Sequence, residues 1–311
     1  MEKVKIVTVV GPTASGKTSL AVKLARIFGG EVISADSMQV YKGMDIATAK
    51  PDETEMCGIP HHLISIISPD EEFSVSCFKN LAEEAARDIT ARGKLPIVAG
   101  GTGLYVDCLI NNTIFLDNTK NDEIRASLQS RIEKEGSETL YNELLLKDPE
   151  AAEKIHPNNS LKIIRALEIL YSSGNTLTEQ NLHSHEKESE FESLIIGLNA
   201  VDRNVLYDRI NLRVDIMVEN GLVEETRKFF ETEAASTACQ AIGYKELKPY
   251  IDGVMSLEDA KENLKQATRR YAKRQLTWFR RNEKIKWLNI DEYTSEQLVS
   301  EASKLVKDFL G

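Results

Sequence analysis

The sequence predicts an α/β fold, a parallel-sheet core interrupted by a helical insertion, and three observations carry that prediction. Short apolar runs alternate with amphipathic helical patterns through the first third of the chain. The strand signal then vanishes between residues 117 and 192 and returns afterwards. A glycine-rich loop, "GPTASGKT" at residues 11–18, separates the first apolar run from the first helical pattern.

The first run, "VKIVTVV", is apolar on both alternating faces, as a strand covered on both sides of a parallel sheet requires. Helical spacing follows over residues 17–28, a second run over 31–35, and a second helix over 75–91, with Ser74 as its N-cap and Gly93 as its stop. A third run covers residues 95–99, completing a strand–helix–strand alternation that reads as βαβ units. From residue 121 to 173 the pattern is helical, as in "EIRASLQSRIEKE" and "LKIIRALEILY", and the stretch to residue 189 is polar and turn-rich. "LIIGLNA" restores a strand at 194–198, long helices are expected over 203–230 and 257–281, and a strand at 285–290 precedes a final helix. Residues 1–116 and 193–311 thus form the core, and 117–192 the insertion domain.

With 311 residues, 41% of them hydrophobic and 28% charged, the chain has an ordinary globular composition. No apolar stretch approaches the roughly 20 residues of a membrane span, and the glycine loop follows too closely on residue 1 for a signal peptide, so a cytoplasmic protein without membrane association is expected. The four cysteines, Cys57, Cys77, Cys108 and Cys239, include no C-x-x-C pair, which points to reduced, buried thiols rather than zinc ligands or disulfides. A monomer is expected, since no self-complementary apolar surface is visible. The net charge of −10 disfavours a basic coat, yet residues 261–286 hold ten Lys or Arg against two Glu. In "LKQATRRYAKRQLTWFRR", Leu264, Ala267, Tyr271 and Trp278 share one helical face, with Lys265, Arg269, Lys273 and Arg280 on the adjoining face and Arg270, Arg274 and Arg281 beside them. Such a stripe suits a polyanion backbone.

Gly11, Pro12, Thr13, Ala14, Ser15, Gly16, Lys17 and Thr18 fit G-x-x-x-x-G-K-[ST] at every defined position, between a strand and a helix. In that setting backbone N–H groups and the helix N-terminus face a chain of phosphates, Lys17 adds a point charge, and the Thr18 hydroxyl can ligate Mg²⁺. The motif therefore predicts a P-loop NTPase-like core that binds a di- or triphosphate, ATP included, without naming the reaction. Asp36, directly after the second strand, is a candidate metal ligand or general base at the edge where such sheets bind ligands. "GGTGLY" follows the third strand and brings the Thr102 hydroxyl to the same crevice. Arg209 and Arg213 lie four apart on one helix face, and Arg213, if buried, would neutralise a departing phosphate. On these residues alone a small-molecule or nucleoside kinase remains an alternative.

The combination of "ISADSMQVYKGMDIATAKP", "VAGGTGLY", "IHPNN", "LYDRINLRVDIM", "QAIGYKEL" and "YAKRQLTWFRR", in that order, resembles the bacterial tRNA dimethylallyltransferase family. The resemblance implies transfer of a dimethylallyl group from dimethylallyl diphosphate to N6 of adenosine 37 in tRNAs that read codons beginning with U. It implies Mg²⁺ as cofactor, diphosphate rather than ATP on the loop, and an insertion that grips the anticodon stem-loop. Asp36 becomes the base, with Thr102, Lys17 and Arg213 as the other catalytic groups. Asp36, Ser37, Met38, Gln39, Thr102 and Arg125 become contacts to the flipped adenosine and its neighbours, and Arg269, Arg270, Lys273 and Arg274 contacts to the RNA backbone.

Overall fold

A computed structural model of the chain describes residues 3–112, 121–183 and 189–311. Among these residues, strands β1 (Val4–Val10), β2 (Gly30–Ser34), β3 (His61–His62), β4 (Leu95–Gly100), β5 (Phe191–Asn199) and β6 (Lys286–Asn289) make one sheet in the order β3-β2-β4-β1-β5-β6. Every pairing is parallel. The helices are α1 (Lys17–Phe28), α2 (Glu53–Met56), α3 (Val75–Ala91), α4 (Gly103–Ile110), α5 (Asp122–Glu135), α6 (Ser137–Lys147), α7 (Pro149–Lys154), α8 (Ser160–Ser173), α9 (Leu177–His183), α10 (Arg203–Glu219), α11 (Leu222–Phe230), α12 (Tyr244–Ile251), α13 (Leu257–Phe279) and α14 (Ser295–Leu310).

The continuous apolar runs are explained by cover on both faces of the sheet. Ile6 and Val10 of β1 pack with Phe78, Ala82 and Ile89 of α3 and with Leu109 of α4. Val7 and Val9 face the other way, onto Leu20 and Leu24 of α1, Ile210 of α10 and Val306 of α14. Thr8, fully buried between them, keeps its hydroxyl satisfied 3.0 Å from that of Ser193.

The chain divides into two compact units, one of Met1–Ile110 with Glu190–Gly311, the other of Asn111–Ser189. The first holds the sheet, and the second holds α5 to α9. Residue 117, the expected start of the insertion, lies outside the described residues, while residues 190–192 fall in the sheet unit because β5 begins at Phe191. The second unit has its own core of Leu128, Leu140, Leu144, Ile163 and Leu167. Within it the fully buried Glu168 accepts from the Asn121 N–H at 3.0 Å and pairs with Arg125 at 2.9 Å and Arg165 at 3.0 Å. No described helix is long and apolar enough to cross a membrane.

Two expectations are corrected. Helix over 203–230 is broken at Asn220 and Gly221, where Gly221 adopts φ +100° and starts α11 in a conformation that a helix interior excludes. Only Cys108 is a buried thiol; Cys57, Cys77 and Cys239 are exposed, on the short helical turns or first helical turn where the chain places them. All four are free.

The sheet edge is anchored by Glu31, whose side chain is 2% exposed and meets Arg92, Lys94 at 2.7 Å and His62 at 2.7 Å. Hydrogen bonds from Arg92, then Lys94 and His62, hold its carboxyl well below the usual carboxylate range. A depressed folded-state value contributes stability that is present above the unfolded value of about 4.3 and lost as pH falls toward the folded one. Glu31→Gln is expected to lower the unfolding free energy by about 1–3 kcal/mol at neutral pH. In urea unfolding, the gap from the unsubstituted protein should narrow below about pH 4.

Candidate active site

The parallel sheet sends three loops out of the C-terminal ends of β1, β2 and β4, and a cavity of about 460 Å³ lies among them and α10, α11 and α13. The loop after β1 lines it with Thr13, Ala14, Gly16, Lys17 and Thr18. Gly16 stands at φ +90°, which allows the loop to turn directly into α1, and no side chain caps the helix. The first N–H groups of α1 are therefore open to an anion in the cavity, beside the lining side chains of Lys17 and Thr18.

Lys17 donates to the Pro12 carbonyl at 2.8 Å. Burial lowers its ammonium to about 8, against the opposing pull of Asp36. Arg213 of α10 also lines the cavity, and its guanidinium makes no hydrogen bond among the described residues. Burial lowers its pKa too, with Glu55 the acidic group acting on it. Two desolvated cations near an uncapped helix terminus concentrate positive potential in this part of the cavity. Arg209, four residues earlier, is exposed, and Asp215 pairs with Lys261 and Lys265 rather than with either arginine.

Asp36 follows β2 into the cavity wall, where its Oδ1 accepts from the Met38 N–H at 2.9 Å. Burial pushes its carboxyl up, partly offset by the Met38 N–H and by Lys17. Ser37, Met38 and Gln39 line the same wall. Gln39 accepts from the Ser34 hydroxyl at 3.0 Å and donates to the carbonyls of Thr48 and Ala49, each at 3.3 Å. Thr102 stands beside Ser37, accepting from the Ser37 N–H at 3.0 Å and donating to the Ser37 hydroxyl at 3.3 Å through its Oγ1. The opposite wall is apolar, with Ile210, Val214, Met217, Leu222, Ile242 and Leu264.

Three polar side chains that support these walls were not singled out from the sequence. Glu225 of α11 accepts from the backbone N–H groups of Asp45 at 2.9 Å, Ile46 at 2.7 Å and Ala47 at 2.9 Å, and from the Tyr244 hydroxyl at 3.0 Å. Lys50, only 7% exposed, pairs with Asp45 and donates to the Tyr41 carbonyl and the Ser65 hydroxyl, both at 2.7 Å. Gln275 of α13 accepts from the Thr13 N–H at 2.8 Å and donates to the Gly101 carbonyl at 2.9 Å. The available signal was a polar residue on an apolar stripe: Glu225 three after buried Leu222, and Gln275 three after buried Ala272.

The basic helix is less uniform than its sequence suggests. Lys265 is buried and pairs with Asp215 at 3.0 Å and Glu262 at 3.3 Å, and Arg269 donates to Asn211 at 2.6 Å. These two drop out of the stripe because neighbouring carboxylate and amide groups on α10 claim them. Arg270, Lys273, Arg274, Arg280 and Arg281 remain exposed. Arg274 also lines the cavity, and Arg281 lies 4.1 Å above the Trp278 ring, whose indole N–H donates to Asp107 at 2.7 Å. Arg125 lies in the other unit, paired with Glu168.

Because Glu225 satisfies three successive N–H groups on the segment that leads into the cavity wall, Glu225→Ala should lower stability by about 2–3 kcal/mol. The same variant should weaken inorganic pyrophosphate binding less than severalfold, since the segment does not touch the phosphate loop; thermal unfolding and calorimetry check the two effects.

The family model described as IPP transferase matches residues 39–282, and that described as isopentenyl transferase matches residues 4–65. A protein of Acetivibrio thermocellus named tRNA dimethylallyltransferase is 49% identical over 301 residues, covering 94% of each chain. The crystal structure of the full-length tRNA isopentenylpyrophosphate transferase of Bacillus halodurans is 44% identical, with a TM-score of 0.74 over 99% of this chain and 97% of that one. A eukaryotic dimethylallyltransferase acting on tRNA is 32% identical, with a TM-score of 0.84 over 98% of this chain and 79% of that one. With phosphate loop, buried cations and aspartate converging on one cavity, and with this likeness over nearly the whole length, the chain belongs to the tRNA dimethylallyltransferase (IPP transferase) family of prenyltransferases.

Proposed function

We propose that the cavity transfers a dimethylallyl group from dimethylallyl diphosphate to the exocyclic N6 of adenosine 37, beside the anticodon, in tRNAs that read codons beginning with U. The observation that carries this reading is that Lys17, Asp36 and Arg213 line a single cavity, with Asp36 and Arg213 both near enough to act on the Lys17 ammonium. The cations suit a departing diphosphate, and the apolar wall of Ile210, Met217 and Leu264 suits a five-carbon chain.

In the transfer, the N6 lone pair of adenine forms a bond to C1 of the donor while the C1–O bond breaks and its electron pair leaves on the diphosphate. Adenine N6 is a weak nucleophile because its lone pair is delocalised into the ring, so removal of its proton by the Asp36 carboxylate assists the step. Loop N–H groups, Lys17 and Arg213 stabilise the charge that develops on the leaving oxygen. Thr18 lines the cavity, and no cluster of three or more His, Cys, Asp or Glu suited to a metal occurs among the described residues. The Thr18 hydroxyl would hold Mg²⁺, which would supply further neutralisation of the leaving group.

An adenine stacked in a loop reaches the cavity only when flipped out, at a cost of a few kcal/mol. Ser37, Met38, Gln39 and Thr102 are then its contacts, Thr102 being held to Ser37 by two hydrogen bonds. Exposed Arg270, Lys273 and Arg274 are read as backbone contacts, and the insertion, including Arg125, as the grip on the anticodon stem-loop. The protein is read as acting as a monomer, in the cytoplasm where tRNA is modified.

The direct test incubates the protein with unmodified tRNA, Mg²⁺ and either dimethylallyl diphosphate or ATP, followed by nucleoside mass analysis. An adenosine heavier by one dimethylallyl group should appear with the isoprenoid alone; ATP consumption without modified adenosine would instead mark a kinase. Asp36→Asn should lower kcat by about 10²- to 10⁴-fold with tRNA affinity unchanged. Because Asp36 acts deprotonated and burial raises its pKa, the rate should fall on the acid side of the pH profile, and Asp36→Asn should lack that limb. Arg213→Ala should reduce kcat/KM for the donor by about 10²-fold or more.

A further inference from the structure

We infer that Gln275 is a positioning residue that holds the leaving-group lysine and the base in register through two backbone peptide planes. The inference rests on the reading of the cavity as a diphosphate site. Gln275 is 5% exposed and sits on α13, outside both loops it touches.

Its carboxamide oxygen accepts from the Thr13 N–H at 2.8 Å. That N–H belongs to the same planar peptide as the Pro12 carbonyl, which receives the Lys17 ammonium at 2.8 Å. Its carboxamide nitrogen donates to the Gly101 carbonyl at 2.9 Å. That carbonyl shares a peptide plane with the Thr102 N–H, which donates to the Ala35 carbonyl at 3.2 Å, one residue before Asp36. A trans peptide places its N–H and C=O on opposite sides of one rigid unit, so fixing one end aims the other. An unbroken polar chain thus runs from Lys17 through Pro12–Thr13, Gln275 and Gly101–Thr102 to Ala35 and Asp36.

Only a glutamine meets the demand at this point. The two partners are one donor and one acceptor, and a carboxamide of this length presents the complementary pair on one rigid fork. Glutamate offers two acceptors and would face the Gly101 carbonyl with negative charge, while leucine fills the space and bonds to neither. The loop has adapted to the contact, since a Cβ at Gly101 would lie 2.1 Å from the Gln275 Nε2.

The test uses the full-length protein and two variants, Gln275→Glu and Gln275→Leu. Steady-state transfer from dimethylallyl diphosphate to unmodified tRNA and calorimetric binding of inorganic pyrophosphate are measured from about pH 4 to about pH 8, across the ordinary carboxyl value of about 4.3. In Gln275→Glu, the protonated carboxyl can donate to the Gly101 carbonyl and still accept from Thr13, whereas the carboxylate cannot. The ratio of its kcat, and of its pyrophosphate affinity, to those of the unsubstituted protein should approach one at the acid end and fall by about tenfold or more as pH rises. Lys17, Asp36, Tyr271 and Arg274 are the titratable and charged groups that share the cavity with the contact, and the uncharged Gln275→Leu separates their own titration from that of the introduced carboxyl. Gln275→Leu should lose about tenfold at every pH, with tRNA affinity retained.

A ratio for Gln275→Glu that stays near one across the whole pH range would overturn the assignment, whatever Gln275→Leu does, because the carboxylate cannot donate to the Gly101 carbonyl. Pyrophosphate affinity and kcat of Gln275→Leu equal to those of the unsubstituted protein would overturn it as well. Absence of transfer by the unsubstituted protein would instead sink the functional reading, and the pyrophosphate titrations would still decide the role of Gln275.

Discussion

Strand register is the constraint on which the site depends. Val10 of β1 stands opposite Gly100 of β4 on one side and Gly197 of β5 on the other, and Ser34 of β2 stands opposite Ala99. The phosphate loop, the Asp36 segment and the glycine loop consequently leave the sheet at one level. The Ala35 N–H continues the ladder by donating to the Ala99 carbonyl at 2.9 Å, so Asp36 begins where the last strand bond ends. A slip of one residue between β2 and β4 would turn the alternation of buried side chains inside out, and apolar packing on both faces forbids it.

Past the last strand bond, backbone groups need other partners, and side chains of α11 and of the loop after β2 provide them. Glu225 gathers three N–H groups in succession, Lys50 reaches a carbonyl and a hydroxyl, and Gln39 braces two carbonyls. Each contact is modest on its own, yet leaving one of these half-buried groups unsatisfied costs more than forming the bond gains. The loops are thereby held before any ligand arrives, which is what a site that acts through fixed dipoles requires.

The parts of this arrangement written in local sequence were legible in advance. "GPTASGKT" between a strand and a helix placed the phosphate end, and an aspartate directly after the next strand placed the base candidate, because both depend on short-range chain geometry. Contacts set by long-range packing were not legible. Lys265 reads as part of a basic face until Asp215, fifty residues earlier, is brought against it. Gln275 reads as one more polar residue of a charged helix until two loops distant in sequence converge on its carboxamide. The two-residue β3 has too little pattern to register, and the break at Gly221 was hidden by helical spacing that continues on both sides of it.

The packing of α13 also gives the protein an optical property. The chain has two tryptophans, and Trp278 holds Asp107 through its indole N–H while Arg281 stacks on its ring. It sits one turn beyond Gln275, on the helix whose outward side chains are basic. An indole flanked by a carboxylate and a guanidinium is sensitive to any rearrangement of charge around it. Trp287, half-buried on β6, packs against Gly197. The intrinsic fluorescence of the molecule therefore carries a native reporter beside the basic helix, readable without a label.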